Sequence, residues 1–181
     1  MQLVKPKKPL LILLLFFACI NVYGQSVDLL DLTTLASLNS NQVEGYFSSG
    51  RVFKLQCGED VNGFLVKHYL ATPKPNKQET ILTGAGYKSA TGVVLNTISY
   101  VTNDPKNIIN LINQTKTVGL KLTFQGADGR NNIYVYDSQL FHVVIKLSYN
   151  QTFGALDMTQ KEVFSVWQAL YNTVSAAINI V

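Results

Sequence analysis

Alternating apolar and polar positions dominate the middle of the chain, and helical spacing frames them. Gln25 to Asn41 is a lead-in where Leu29, Leu30, Leu32, Leu35 and Leu38 mark at most a short helix or turn series. A second helix is better signalled. Ser40 or Asn41 can cap it, because a side-chain oxygen there can accept a free amide of the first turn. Asn41 with Glu44 approximates a capping box. Val43, Tyr46 and Phe47 supply an apolar face, and Gly50 can stop the helix in a left-handed conformation.

Period-two alternation then takes over. Val52 to Cys57 is a strand, Gly58 to Gly63 is turn chemistry, and Phe64 to Ala71 is the next strand. Its faces separate Phe64, Val66, His68 and Leu70 from Leu65, Lys67, Tyr69 and Ala71. Thr72 to Lys77 holds two prolines and reads as a loop. Glu79–Thr83 and Val93–Thr102 form a hairpin around a glycine-bearing loop. Asp104-Pro105 is the clearest helix start, since proline at the first helical position loses only an amide that would have been unpaired. Ile108, Ile109, Leu111 and Ile112 give that helix its buried side, and Gly119 ends the segment. Leu120, Leu122 and Phe124 alternate with polar residues up to a Gly126–Gly129 loop. Ile133–Tyr136 and Leu140–Tyr149 are further strands.

The last segment, Met158 to Val181, reads as an amphipathic C-terminal helix. Ser165, Gln168, Asn172, Ser175 and Asn179 form a polar stripe opposite Val163, Val166, Trp167, Leu170, Val174 and Ile178. The segment has no charge from Val163 onward, but its polar stripe favours packing on a sheet over crossing a bilayer.

The two halves, 25–102 and 103–181, resemble each other. A helix leads through Phe53-Lys54-Leu55-Gln56-Cys57 to a glycine loop and a strand. Another leads through Leu120-Lys121-Leu122-Thr123-Phe124 to the same sequence of elements. The expected fold is therefore a single α+β domain over 25–181. It has an antiparallel sheet with helices packed on one face, built from a duplicated helix–strand–strand unit.

The first 24 residues stand apart. Lys5, Lys7 and Lys8 precede the apolar run Leu10–Ala18, and Gly24 follows Val22 by two places. That is the layout of a secretory signal peptide. The apolar run is shorter than the roughly 20 residues a spanning helix needs. Removing the signal lowers the charge from +4 to twelve basic against eleven acidic residues, a net +1. The basic excess thus belongs to export. The remaining lysines are scattered, which argues against nucleic acid as a partner. Secretion or a periplasmic location is expected. Cys19 supports an alternative: Ala18-Cys19 fits the acylation point of a lipoprotein, although Phe16 and Phe17 fit it poorly. Membrane contact would then come through the lipid.

Cleavage after Gly24 leaves Cys57 as the one thiol, read as a small buried side chain in a strand and alternatively as the nucleophile of an envelope enzyme. Gly84-Ala85-Gly86-Tyr87-Lys88-Ser89 fails as a phosphate loop, because it leads into a strand and not a helix. His68 and His142 lie within strand patterns, without a second ligand at metal spacing. No cofactor or metal is expected. Asn113 and Asn150 match a glycosylation pattern that matters only in a eukaryotic secretory route. Tyr134 and Tyr136 share one face of one strand and are the candidate binding face, since tyrosine joins rigid contact area to a hydroxyl. The function expected is non-enzymatic binding of an unidentified protein or small molecule in the bacterial envelope or outside the cell.

Overall fold

The computed structural model describes residues 26–49 and 52–163. The signal segment, Cys19, Gly50 and the stretch 164–181 lie outside the described residues. The architecture is one antiparallel sheet of eight strands with three helices, and strand predominates.

The opening helices are more regular than the leucine pattern suggested. α1 spans Leu29–Ser37. Asp28 accepts the Asp31 amide at 2.8 Å and Asp31 accepts the Asp28 amide at 3.0 Å, a reciprocal cap that settles two orphan donors. α2 spans Ser40–Ser48 and is capped one residue earlier than expected. Asn39 accepts from Gln42 N–H at 3.1 Å and Gln42 accepts from Asn39 N–H at 3.0 Å. Ser40 and Asn41 therefore belong to the first turn, and Glu44 is left free to pair elsewhere.

β1 (Lys54–Val61) runs four residues past Cys57 into the expected turn. The reversal shrinks to Asn62 and Gly63, both at positive φ. β2 (Phe64–Lys74) absorbs Pro73 because the ladder with β3 slips between Ala71 and Lys74, so no cross-strand bond is asked of the proline. β3 (Lys77–Lys88) also swallows Gly84 and Gly86, which were expected in a loop. Gly84 sits at φ +88 beside a register shift, and a Cβ there would stand 2.2 Å from the Leu65 carbonyl oxygen. Glycine is required at that strand crossing. β4 is Val94–Thr102.

α3 (Pro105–Gln114) starts at the Asp104-Pro105 cap as expected. Gln114 at its far end accepts the Leu29 amide at 2.8 Å, tying α3 to the start of α1. β5 (Lys121–Ala127), β6 (Asn131–Asp137) and β7 (Phe141–Ser148) follow. The helix predicted from Met158 is corrected at its start, because Gly154–Gln160 is strand β8. Leu156 and Met158 are buried there and alternate with Asp157 and Thr159, so period two governs the segment.

The strand order is β1-β2-β3-β4-β8-β7-β6-β5, two four-stranded meanders joined along β4 and β8. β1 and β5 are the edges. Each edge strand carries a bulge near its start, between Leu55 and Cys57 and between Leu122 and Phe124. Beyond the bulges the ladders correspond. Leu55 faces Tyr69, which faces Ile81, which faces Tyr100. Leu122 faces Tyr136, which faces Val143, which faces Met158. At the seam Tyr100 meets Leu156 and Ile98 meets Met158.

Alternate strand positions and the apolar sides of all three helices contribute to one buried cluster that includes Leu29, Leu32, Leu35, Phe47, Ile81, Tyr100, Ile108, Leu111, Ile145 and Leu156. Glu79 lies inside this core at 1% exposure. It accepts from Tyr100 Oη at 3.0 Å, Asn107 Nδ2 at 3.1 Å and the Ser26 amide at 3.2 Å. Burial nevertheless pushes its carboxyl above the ordinary glutamate value. No helix among the described residues is long and apolar enough to cross a membrane.

Candidate functional site: a cleft at the sheet edge

α2 ends beside the start of β1, and a cleft of about 480 Å³ opens between them. Phe47 and Phe53 form its aromatic wall, Lys54 and Leu55 its edge-strand side, and Tyr69 reaches in from β2. The Phe47 and Tyr69 rings stack with centroids 4.1 Å apart, and Phe53 lies 5.8 Å from Phe47. Glu44 at the rim is held by Lys67 at 2.5 Å, an arrangement possible only because the helix cap sits at Asn39.

Tyr69 decides what this cleft can do. The residue is 2% exposed, yet its hydroxyl has no hydrogen-bond partner. An orphaned buried hydroxyl costs about 1–3 kcal/mol. Burial also pushes its pKa above the ordinary tyrosine value, with Lys67 pulling it down and Glu44 pushing it up. The group is therefore a neutral donor, aimed into an apolar cleft and unspent. A ligand with an apolar body and an acceptor oxygen would satisfy it.

A second cleft of about 480 Å³ lies at the opposite edge. Thr115, Leu120, Lys121, Leu122 and Tyr136 line it. Tyr136 is 6% exposed, and its hydroxyl is hydrogen-bonded to the Thr115 side chain.

The fold treats the sequence candidates unevenly. Tyr134 and Tyr136 share a face, but that face turns inward: Tyr136 is buried and Tyr134 packs against the core. Cys57 is exposed, which corrects the expectation of a buried thiol; an edge strand covers its side chains poorly. It also has a neighbour that linear spacing could not reveal. Cys57 and His68 are partners in the β1–β2 ladder, and His68 Nε2 lies 2.9 Å from Glu59 Oε1. His142 gains a carboxylate in the same way. Its Nδ1 lies 3.0 Å from Asp137 Oδ1, which also takes Lys161 Nζ at 2.5 Å, while Thr123 donates to the other oxygen at 2.8 Å. The Lys161 hydrogen bond chiefly holds the Asp137 carboxyl below the usual carboxylate range, helped by His142 and Thr123. Glu59 and Asp60 belong to β1 and not to a turn. Asp128 spends its oxygens on Asn131 and Arg130 amides within its own loop. Among the described residues no group of three His, Cys, Asp or Glu side chains converges on a metal position.

Alternation along β2 had already placed Tyr69 with Lys67 and Ala71. Its role was not readable, because that depends on α2 lying over it from elsewhere in the chain. Fold and site together define an antiparallel α+β protein with a cleft at the sheet edge. No protein-family model matches the chain, nor does any curated protein or solved structure.

Proposed function

We propose that this is an exported, non-enzymatic binding protein of the bacterial envelope or extracellular space, and that its working site is the cleft under α2. The unpartnered Tyr69 hydroxyl carries this reading, because a buried donor without a partner is costly unless something fills its place. The finer architecture belongs to the same proposal. The three helices cover one face of the sheet, and each half of the chain is a copy of one unit, a helix followed by four strands. The matching bulges and ladders support that duplication. Export rests on the 1–24 pattern. Intact mass of the fractionated protein tests it, with a soluble species starting at Gln25 expected and an acylated species starting at Cys19 indicating the lipoprotein instead.

The binding site is tested with 8-anilinonaphthalene-1-sulfonate, an amphiphile whose fluorescence rises in apolar surroundings. Saturable binding is expected, weakened several-fold in Tyr69→Phe, the loss of one hydrogen bond. Equal binding by the variant would sink the assignment.

The ladder pairing of Cys57 with His68 favours a second reading, a reactive thiol. An imidazole oriented by Glu59 can lower a neighbouring thiol's pKa. Alkylation rates measured against pH should then show a thiolate forming below the free-cysteine range, and His68→Phe should remove that shift. A wild-type profile like that of free cysteine would leave the thiol without a function.

A further inference from the structure

We infer that the chain carries its ligand site twice, once at each edge of the sheet, and that both sites take a small amphiphilic carboxylate. The inference rests on the reading of the Tyr69 cleft above and extends it. The two clefts correspond residue by residue through the ladders. Phe53, Lys54 and Leu55 occupy in the first the places that Leu120, Lys121 and Leu122 occupy in the second. Leu55 faces Tyr69 and Leu122 faces Tyr136 across the edge pair, immediately before each bulge. Each cleft therefore has an apolar wall, a buried tyrosine hydroxyl and a lysine at its mouth.

The charge selects the ligand. In the first cleft the one carboxylate, Glu44, is already taken by Lys67, which leaves Lys54 over. The second cleft is lined by Lys116 and Lys121 and by no acid. A cation beside a neutral donor, above apolar walls, matches a carboxylate on an aliphatic or aromatic body. An added peptide strand fits less well, because the bulge at the start of each edge strand interrupts the backbone pattern that such a strand would read.

The sites differ in one group. Tyr136 already has Thr115, so a ligand at the second site must displace that hydrogen bond, whereas Tyr69 waits unpaired. The first site should be the tighter one. Seven strand spacings of about 4.8 Å separate the edges, so the two ligands would sit roughly 30 Å apart.

Calorimetric titration of the mature chain with sodium decanoate tests this. Two sites per chain are expected, the tighter weakened roughly tenfold by Lys54→Met and the weaker roughly tenfold by Lys121→Met. Thr115→Val should bring the two affinities together. Circular dichroism verifies that each variant stays folded. One site, lost in Lys54→Met, would overturn the duplication of the site and leave the Tyr69 reading standing. Two sites indifferent to both lysines, or binding of decanol as tight as decanoate, would overturn the carboxylate. No binding of decanoate alongside binding of the sulfonate dye would overturn it as well. Binding of neither would remove both readings.

Discussion

Tyr69→Phe and Tyr136→Phe should change stability in opposite directions. Each substitution deletes one oxygen and leaves the ring, so the 4.1 Å stack of Tyr69 on Phe47 survives. The two hydroxyls differ only in what they meet. Tyr69 has no partner at 2% exposure, so deleting its oxygen removes a buried unsatisfied group and should raise unfolding free energy by about 1 kcal/mol or more. Tyr136 is bonded to Thr115, so its deletion breaks a made bond and should cost about 0.5–1.5 kcal/mol. For a chain of this length, 1 kcal/mol moves the thermal midpoint by about 2–4 °C. Urea unfolding of the ligand-free protein, followed by far-UV circular dichroism, would resolve midpoint shifts of opposite sign at unchanged slope. If Tyr69→Phe instead lowers the midpoint as Tyr136→Phe does, the Tyr69 hydroxyl is already satisfied in the free protein, and the argument for a waiting donor fails.

Three further outcomes follow from the packing and the charges. Gly154→Ala would bring a Cβ to 2.3 Å from Cγ1 of the fully buried Ile108 and should cost about 1–3 kcal/mol; in an Ile108→Ala background the cost should vanish, and strict additivity in urea melts would contradict the contact. Glu79 has a raised folded pKa, so folding favours its protonated form. Its contribution is full below the unfolded value near 4.5 and is lost as pH rises through the folded value, so wild type should lose more stability than Glu79→Gln over that range. Parallel stability–pH curves would refute the burial argument. Asp137 has the opposite sign, because its lowered pKa gives stability above the unfolded value of 3.8 that disappears on acidification. Asp137→Asn should therefore flatten the acid limb of the urea midpoint against pH.

Much of the sheet was legible because one of its faces is buried, so period two survives in the strands. β6, β7 and the Asp104-Pro105 helix start fell close to their expected places. The errors share a cause. Glycines and prolines that announce loops in isolation were absorbed wherever the ladder slips, as at Pro73 and Gly84. β8 was hidden because Gly154 and Ala155 at its start carry little side chain, and the apolar run after it imposed a helical reading. The paired segments Phe53–Cys57 and Leu120–Phe124 were visible as strings, but their bulges and facing tyrosines are properties of pairing. The same holds for Cys57 with His68 and for Asp137 with His142 and Lys161. Strand neighbours separated by a turn cannot be read from linear spacing, and a cleft under a helix is more distant still.

The position of β8 governs when this molecule can finish folding. β4 is complete by Thr102, but its outer edge finds a partner only when Gly154–Gln160 arrives. Until then the first meander ends in an open strand and half a hydrophobic face. Closing a loop of some fifty residues must precede the reward of pairing, and contacts so distant in sequence form slowly. A chain crossing a membrane amino end first would therefore stay pliable through most of its passage and lock only when the closing strand emerges. Placing the latest strand at the centre makes the whole sheet wait for it, which suits a protein that must be threaded before it is folded.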